Sequence, residues 1–261
     1  MRDVLELALD DGSTLDIQRV RDPRAKRIKL SVDDRGARLT LPPRASLVAG
    51  ERFVAAHLDW LTTQLRRHAP PPQAPLLPFS LSMLPLDGAE RPLRWQQARF
   101  ASLGPDPDDP AGLLFSFPPK ATPAAAVRVV REFYLAHARA QVGSWLPSYL
   151  PGLPRPPRAF RFRPVRSQWG SLAPDGTVSL DLALVLARPS AFRYVLVHEL
   201  CHLIEANHSK AFWAEVEARF PDWRAERDWL REYGGGVKAR LRVLLDPGRA
   251  ADLEQAAAAL R

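Results

Sequence analysis

Over the first 45 residues, apolar and polar positions alternate with the period of two that a half-buried strand requires. Four such runs follow one another: VLELAL (4–9), TLDIQRVR (14–21), RIKLSVDD (27–34) and ARLTLPP (37–43). Asp11-Gly12 and Arg35-Gly36 stand where tight hairpin turns are needed, so the pattern predicts a small antiparallel β-meander. The period then changes. In SLVAGERFVAAHLDWLTTQLRRH (46–68), Phe53, Leu58, Leu61 and Leu65 recur at helical spacing behind Ser46, a residue suited to cap a helix N-terminus. Residues 69–92 are proline-rich and show no clear period. Short strands are predicted at 93–100 and 113–117, with the turn-forming GPDPDDPAG between them.

A long helix is predicted over 122–150, with Thr122 as cap and Pro123 at the tolerated first position. Strands return at 158–165 and 177–184. Three helices follow, over 189–206, 209–220 and 222–233, the last running into three glycines. No internal repeat is visible. The pattern predicts an α+β chain in four parts: a β-meander plus helix (1–68), a proline-rich insertion or linker (69–122), a domain built around the helices (123–236) and a C-terminal tail (237–261).

The helix at 189–206 changes the picture most. VLVHELCHLIEANH (195–208) holds three of the chain's six histidines. His198 and His202 are four apart, about 40° of rotation and 6 Å of rise, so both imidazoles project from one face and can take two corners of a zinc tetrahedron. Glu199 is rotated by about 100° from His198, placing it to act on a metal-bound water as general base. A catalytic zinc needs a third protein ligand and one open position. His208 supplies it if the chain reverses, with Asn207 expected to make the bend in the left-handed conformation and Ser209 to cap the next helix. The rival third ligands are the carboxylates Glu215, Glu217 and Glu226. Cys201 faces away from the histidine pair and reads as core filler. His57, which has no ligand partner four residues away, and His137 on the helix over 122–150 read as structural.

Composition narrows the setting. The 261 residues carry a formal charge of +8 and 26 prolines, with a single cysteine that excludes an internal disulfide framework. No apolar run is long enough to span a membrane and acids interrupt the N-terminus, so a cytoplasmic location is expected. The basic residues are almost all arginine, which reads as compositional bias as readily as a nucleic-acid surface. The best nucleic-acid candidate is RPPRAFRFRPVR (155–166), where Phe160 and Phe162 alternate with arginines. The alternative is that the phenylalanines face the core and the arginines face water.

YVLVHELCHLIEANHSKAFWAEVEARFPDW resembles the YgjP-like zinc metallopeptidases, relatives of the SprT-like proteins, in which an H-E-L-x-H helix is followed by N-H-S-x-x-F-W. RSQWGSLAPDGTVSLDLALVLARP resembles that family's S-R-W-G-S-C segment, and residues 15–65 resemble its opening. The resemblance implies a small zincin-like catalytic domain with Zn2+ on His198, His202 and His208, and Glu199 as base. It places Phe212 and Trp213 beneath the site and Trp169, Gly170 and Ser171 beside it. Gln168 stands where the family has arginine and Leu172 where it usually has cysteine; Arg166, two residues earlier, is the candidate to replace the missing charge.

The leading expectation is a zinc-dependent peptidase acting on a peptide or protein, with Arg166, Gln168, Trp169 and Tyr194 as candidate substrate-binding residues. Tyr194, Tyr233 and Arg166 are candidates for the oxyanion partner, and an extended peptide is expected to pair with a strand edge at 177–182. Two alternatives stay open at this point: a zinc-dependent nucleotide pyrophosphatase or phosphoanhydride hydrolase, and a nucleic-acid-associated binding protein. Sequence leaves the oligomeric state open.

Overall fold

The computed structural model describes residues 3–8, 14–33, 36–68, 76, 79–165 and 168–246. The chain divides into two compact units, Met1–Pro71 and Pro72–Arg261, each with its own core.

In the first unit, β1 (Asp3–Ala8), β2 (Thr14–Arg21), β3 (Lys29–Asp33) and β4 (Gly36–Leu41) form one sheet in the order β1-β2-β4-β3. The two hairpins are antiparallel, but β2 and β4 pair in parallel, Ile17 opposite Ala37. The antiparallel meander expected from the sequence is therefore corrected to a mixed sheet. The link over 22–28 is too long for a two-residue hairpin, and it carries the chain past the position beside β2, which β4 then fills. Arg21 Nη1 fastens that pairing by donating to the Pro42 and Pro43 carbonyls at 3.2 and 2.9 Å. The predicted turn residues Asp11, Gly12 and Arg35 lie outside the described residues.

Ile17, Leu39 and Leu41 bury one face of this sheet together with Val54 and Leu61. Those last two come from α1 (Leu47–Ala56) and α2 (Leu58–His68). Ser46 Oγ caps α1 by accepting from the Ala49 amide at 3.1 Å. The single helix expected over 46–68 is broken at His57, whose ring stacks on Phe53 and whose Nδ1 lies 2.8 Å from the Phe53 carbonyl.

The second unit starts with a sheet of the same topology. β5 (Met83–Leu86), β6 (Ala89–Gln97), β7 (Ser102–Asp106) and β8 (Asp109–Phe117) run in the order β5-β6-β8-β7, again with the central pair parallel. Residues 69–122 thus contain a four-stranded sheet whose Leu84, Leu93, Leu113, Phe115 and Phe117 enter the unit's main core. The capped helix α3 (Pro123–Trp145) packs after it, and its Tyr134 hydroxyl donates to the Pro85 carbonyl at 2.8 Å. His137 on the same helix lies 2.9 Å from Asp87 Oδ1 in the β5–β6 turn, a structural pairing.

A small sheet follows: β9 (Ala159–Arg163), β10 (Gly170–Leu172) and β11 (Thr177–Asp181), in the order β10-β11-β9. The phenylalanines of β9 pack on the core and its arginines are exposed, which is the structural alternative to a nucleic-acid stripe. Three helices complete the unit: α4 (Pro189–Cys201), α5 (Lys210–Arg219) and α6 (Trp223–Leu245). No helix among the described residues is long and apolar enough to cross a membrane.

Candidate metal centre and its cleft

From Tyr194 to Cys201 every residue of α4 except His198 is buried, as an all-round apolar helix demands. The helix ends at Cys201, but His202 keeps helical dihedrals (φ −67, ψ −14), so the four-residue offset from His198 survives. The reversal begins there. The amides of Leu203, Ile204 and Glu205 bond back to the carbonyls of Leu200, Cys201 and Cys201 at 3.0, 3.0 and 2.9 Å. Asn207 does not adopt positive φ, which corrects the bend expected at that residue; the carbonyls at the helix end are already satisfied by 203–205. Ser209 Oγ accepts from the Phe212 amide at 3.2 Å, starting α5 immediately after His208.

These turns bring the three imidazoles together. Ring centroids are 5.0 Å apart for His198–His202 and His198–His208, and 4.8 Å for His202–His208. One nitrogen from each ring lies within 4.8 Å of the others. The Nε2 atoms of His198 and His208 approach to 3.0 Å; the edge of a zinc–imidazole tetrahedron is about 3.3 Å. His202 Nδ1 lies 3.1 Å from the Glu205 carbonyl, which fixes the proton on Nδ1 and leaves Nε2 facing its partners. Phe212 is fully buried under all three rings, with its ring stacked on His202 at 4.5 Å. Burial, reinforced by the neighbouring imidazoles, pushes the His198 ring down to about 3, so it stays neutral and able to donate a lone pair. The rival carboxylates are engaged elsewhere: Glu215 with Arg219, Glu217 with Arg224 and Glu226 with Arg188.

Glu199 is 5% exposed and borders the same cleft, with its carboxyl pushed up to about 8 by burial. It lies against β10. A Cβ on Gly170 would stand 2.6 Å from Glu199 Cγ and Oε1, so only glycine lets the carboxyl occupy this place. Gly170→Ala is expected to push Glu199 aside and lower turnover by about tenfold or more while bound metal, measured by elemental analysis, stays at the wild-type level. Loss of metal and activity together would show that Gly170 supports the fold instead.

The cleft has a volume of about 890 Å³. Gln168, Trp169 and Tyr194 line it; Arg166 lies outside the described residues, and Tyr233 is half exposed with its ring against Trp229. Tyr194 sits one turn before His198, its ring centroid 6.0 Å away, and burial pushes its hydroxyl up to about 12, so it remains a proton donor. Strand β11 is paired on both sides, by β10 and β9. The peptide-binding edge expected at 177–182 is therefore corrected: the edge strand lining the cleft is β10.

Sequence reasoning missed the residues that hold this wall. Lys238 Nζ donates to the Val165 and Gln168 carbonyls at 2.9 and 2.8 Å, pairs with buried Asp181 at 2.7 Å and stands 4.3 Å from the Trp169 ring centroid. Gly234 lets α6 continue through the glycine run while Trp169 packs directly on its Cα. The only local signal is a lysine four residues beyond a glycine. Lys238→Met is expected to destabilise the protein by about 3 kcal/mol, since a buried carboxylate loses its cation. Burial raises the Asp181 pKa, so the loss shrinks as falling pH protonates that carboxyl, starting above the usual carboxylate range. Urea denaturation of both proteins across the acid range measures this; a penalty independent of pH would refute it.

A donor set of three convergent imidazoles, one with its far nitrogen tied to a backbone carbonyl, suits a borderline-soft divalent metal. No curated protein matches the chain. A solved crystal structure of a metallopeptidase zymogen, abylysin of Pyrococcus abyssi, is 30% identical, covering 38% of this chain and 90% of its own, with a TM-score of 0.28. Over residues 26–233, which include the histidine cluster, Glu199 and the β10 wall, the chain matches the YgjP-like, metallopeptidase domain family, and it belongs to that family.

Proposed function

We infer that the protein is a zinc-dependent peptidase that hydrolyses peptide bonds in the α4–β10 cleft. The observation that carries this reading is the convergence of His198, His202 and His208 beside a buried carboxyl on the same helix. His198, His202 and His208 would hold the zinc, which would supply a water acidified to about pKa 7 and a Lewis acid for the scissile carbonyl. The chain's own groups do the rest. In its ionised form, which a divalent cation held beside it would favour, Glu199 takes a proton from the attacking water as its oxygen bonds to the carbonyl carbon. The same carboxyl then delivers that proton to the amide nitrogen as the C–N bond breaks, releasing an acid and an amine. Tyr194, neutral and lining the cleft, is the candidate donor to the carbonyl oxygen as negative charge develops there.

Substrate orientation follows from β10. Its side away from β11 has no strand partner among the described residues, so an extended peptide can add to it and present its carbonyl towards the histidines. Leu172, Pro174, Leu203 and Leu230 give the cleft apolar walls for its side chains. The test is direct. Protein loaded with zinc is incubated with a peptide mixture and products are read by mass spectrometry, with a chelator control. Cleavage abolished by chelation and restored by zinc is expected; metal-independent cleavage, or none by the loaded protein, would overturn the reading.

A further inference from the structure

We propose that this cleft selects peptides carrying a carboxylate near the scissile bond, and that Arg227 is the residue that reads it. The inference rests on the peptidase reading above. Arg227 projects from α6 into the cleft lining. Its guanidinium carbon stands 4.9 Å from the Trp223 ring centroid and 5.8 Å from that of Trp213, and the two indoles stack on one another at 4.2 Å. A guanidinium seated on aromatic faces has lost much of its rotational freedom beforehand and keeps its N–H edge for a planar partner such as a carboxylate. Trp213 is also the neighbour of the metal-site rings, 5.8 Å from His198 and 5.7 Å from His208. One indole therefore separates the cation from the imidazole cluster. At about 3.3 Å per extended residue, a peptide crossing the cluster has its second to fourth residue at Arg227.

The charge balance of the cleft points the same way. Arg155 and Arg231 line it as well, and among the described residues the only acidic one in the lining is Glu199, on its floor. Asp228 is the carboxylate that answers the α6 pair, 3.4 Å from Arg231 Nη2 and at a loose 3.8 Å from Arg227 Nε. Arg155, at the Pro174 end of β10, gives its Nη2 to a backbone carbonyl at 3.2 Å. Two of the three guanidinium groups thus share one carboxylate, and the third is met by a backbone carbonyl. A peptide laid along β10 runs between positive charges, which attract acidic groups and repel lysine and arginine.

The carboxylate can come from an Asp or Glu side chain or from the peptide's own C-terminus, and the experiment separates the two. Binding is measured by fluorescence anisotropy on zinc-loaded Glu199→Gln protein. The probes are labelled peptides differing only in Glu, Gln or Lys flanking the centre, each with a free or amidated C-terminus. The Glu peptide, the free C-terminus or both are expected to bind about fivefold tighter than the amidated Gln peptide at low salt, with the advantage shrinking as salt rises. Arg227→Gln is expected to remove the preference, Arg227→Lys to keep part of it, and Arg99→Gln, remote from the cleft, to leave it intact. Equal binding of all probes, or a preference that survives Arg227→Gln, overturns the proposal. In parallel, the same peptides are offered to protein with Glu199 present: cleavage without carboxylate preference sinks this proposal alone, while cleavage of none sinks the peptidase reading and this one with it.

Discussion

Glu199→Gln is expected to lower peptide cleavage by about a thousandfold while zinc remains bound at the wild-type level. The substitution is nearly isosteric, so the contact with Gly170 and the packing of α4 are kept. What disappears is the ability to take and return a proton, a function worth roughly a hundred- to ten-thousandfold in rate, or about 3 to 5 kcal/mol of barrier. The three imidazoles do not depend on this carboxyl: His202 is oriented by the Glu205 carbonyl and His208 by the start of α5. Elemental analysis and a cleavage assay on one preparation measure both quantities. Activity retained with zinc in place would remove Glu199 from its role as base and shift attention to Tyr194 or a group on α6. Loss of zinc together with activity would make Glu199 part of the metal's support.

The centre of this site could be read from the chain because its geometry is local. His198 and His202 share a helical face by spacing alone, and His208 returns within six residues through a turn that backbone hydrogen bonds close. Even there, the residue expected to make the bend was displaced. The pattern shows that a reversal must occur, whereas its position depends on which carbonyls the following amides reach. The wall opposite was not readable from periodicity; only the family resemblance placed Trp169, Gly170 and Ser171 beside the site. β10 is three residues long and starts at a glycine, too short for alternation to register, and it exists because β11 pairs with it. Lys238 reaches Gln168 across 70 positions of sequence, so no window of periodicity contains both. The sheet over 83–117 was read only in part: β6 and β8 overlap the strands expected at 93–100 and 113–117, whereas β5 and β7 were missed. Each of its strands holds a proline, Pro85, Pro92, Pro105 or Pro110, and a proline run reads as linker. Two of these strands, β5 and β7, lie at the sheet edges, and Pro105 sits at a register shift, places where a missing N–H costs little. In the first unit the strands were visible and their neighbours were not, because alternation shows which face is buried but not which strand lies alongside.

His208→Ala is expected to reduce zinc affinity by at least a hundredfold and to abolish the rise in melting temperature that zinc gives the wild-type protein. Three protein donors become two, and two imidazoles on successive helical turns bind zinc weakly with no third ring to close the site. The rival carboxylates are held by arginines: Glu215 by Arg219, Glu217 by Arg224 at 3.0 Å, and Glu226 by Arg188 at 2.7 Å. Because ligand binding stabilises the folded state by RT ln(1 + [L]/Kd), a hundredfold loss in affinity removes about 2.7 kcal/mol of zinc-dependent stabilisation at saturating metal. The metal-free variant is expected to unfold close to the metal-free wild type, since His208 is exposed and meets the core only through the rings of Phe212 and Trp213. That contrast separates a ligand from a packing residue. If the variant bound zinc as tightly as the wild type, the third donor would have to be sought among the α5 and α6 carboxylates, and the turn over 202–208 would serve only to start α5. Ser209→Ala provides the graded control: it removes the cap at the Phe212 amide, costs about 1 kcal/mol of helix stability, and loosens His208 without deleting its nitrogen. Its zinc affinity is expected to fall by a fewfold, between wild type and His208→Ala, and isothermal calorimetry on the three proteins puts them in that order if the bend after α4 delivers the third donor.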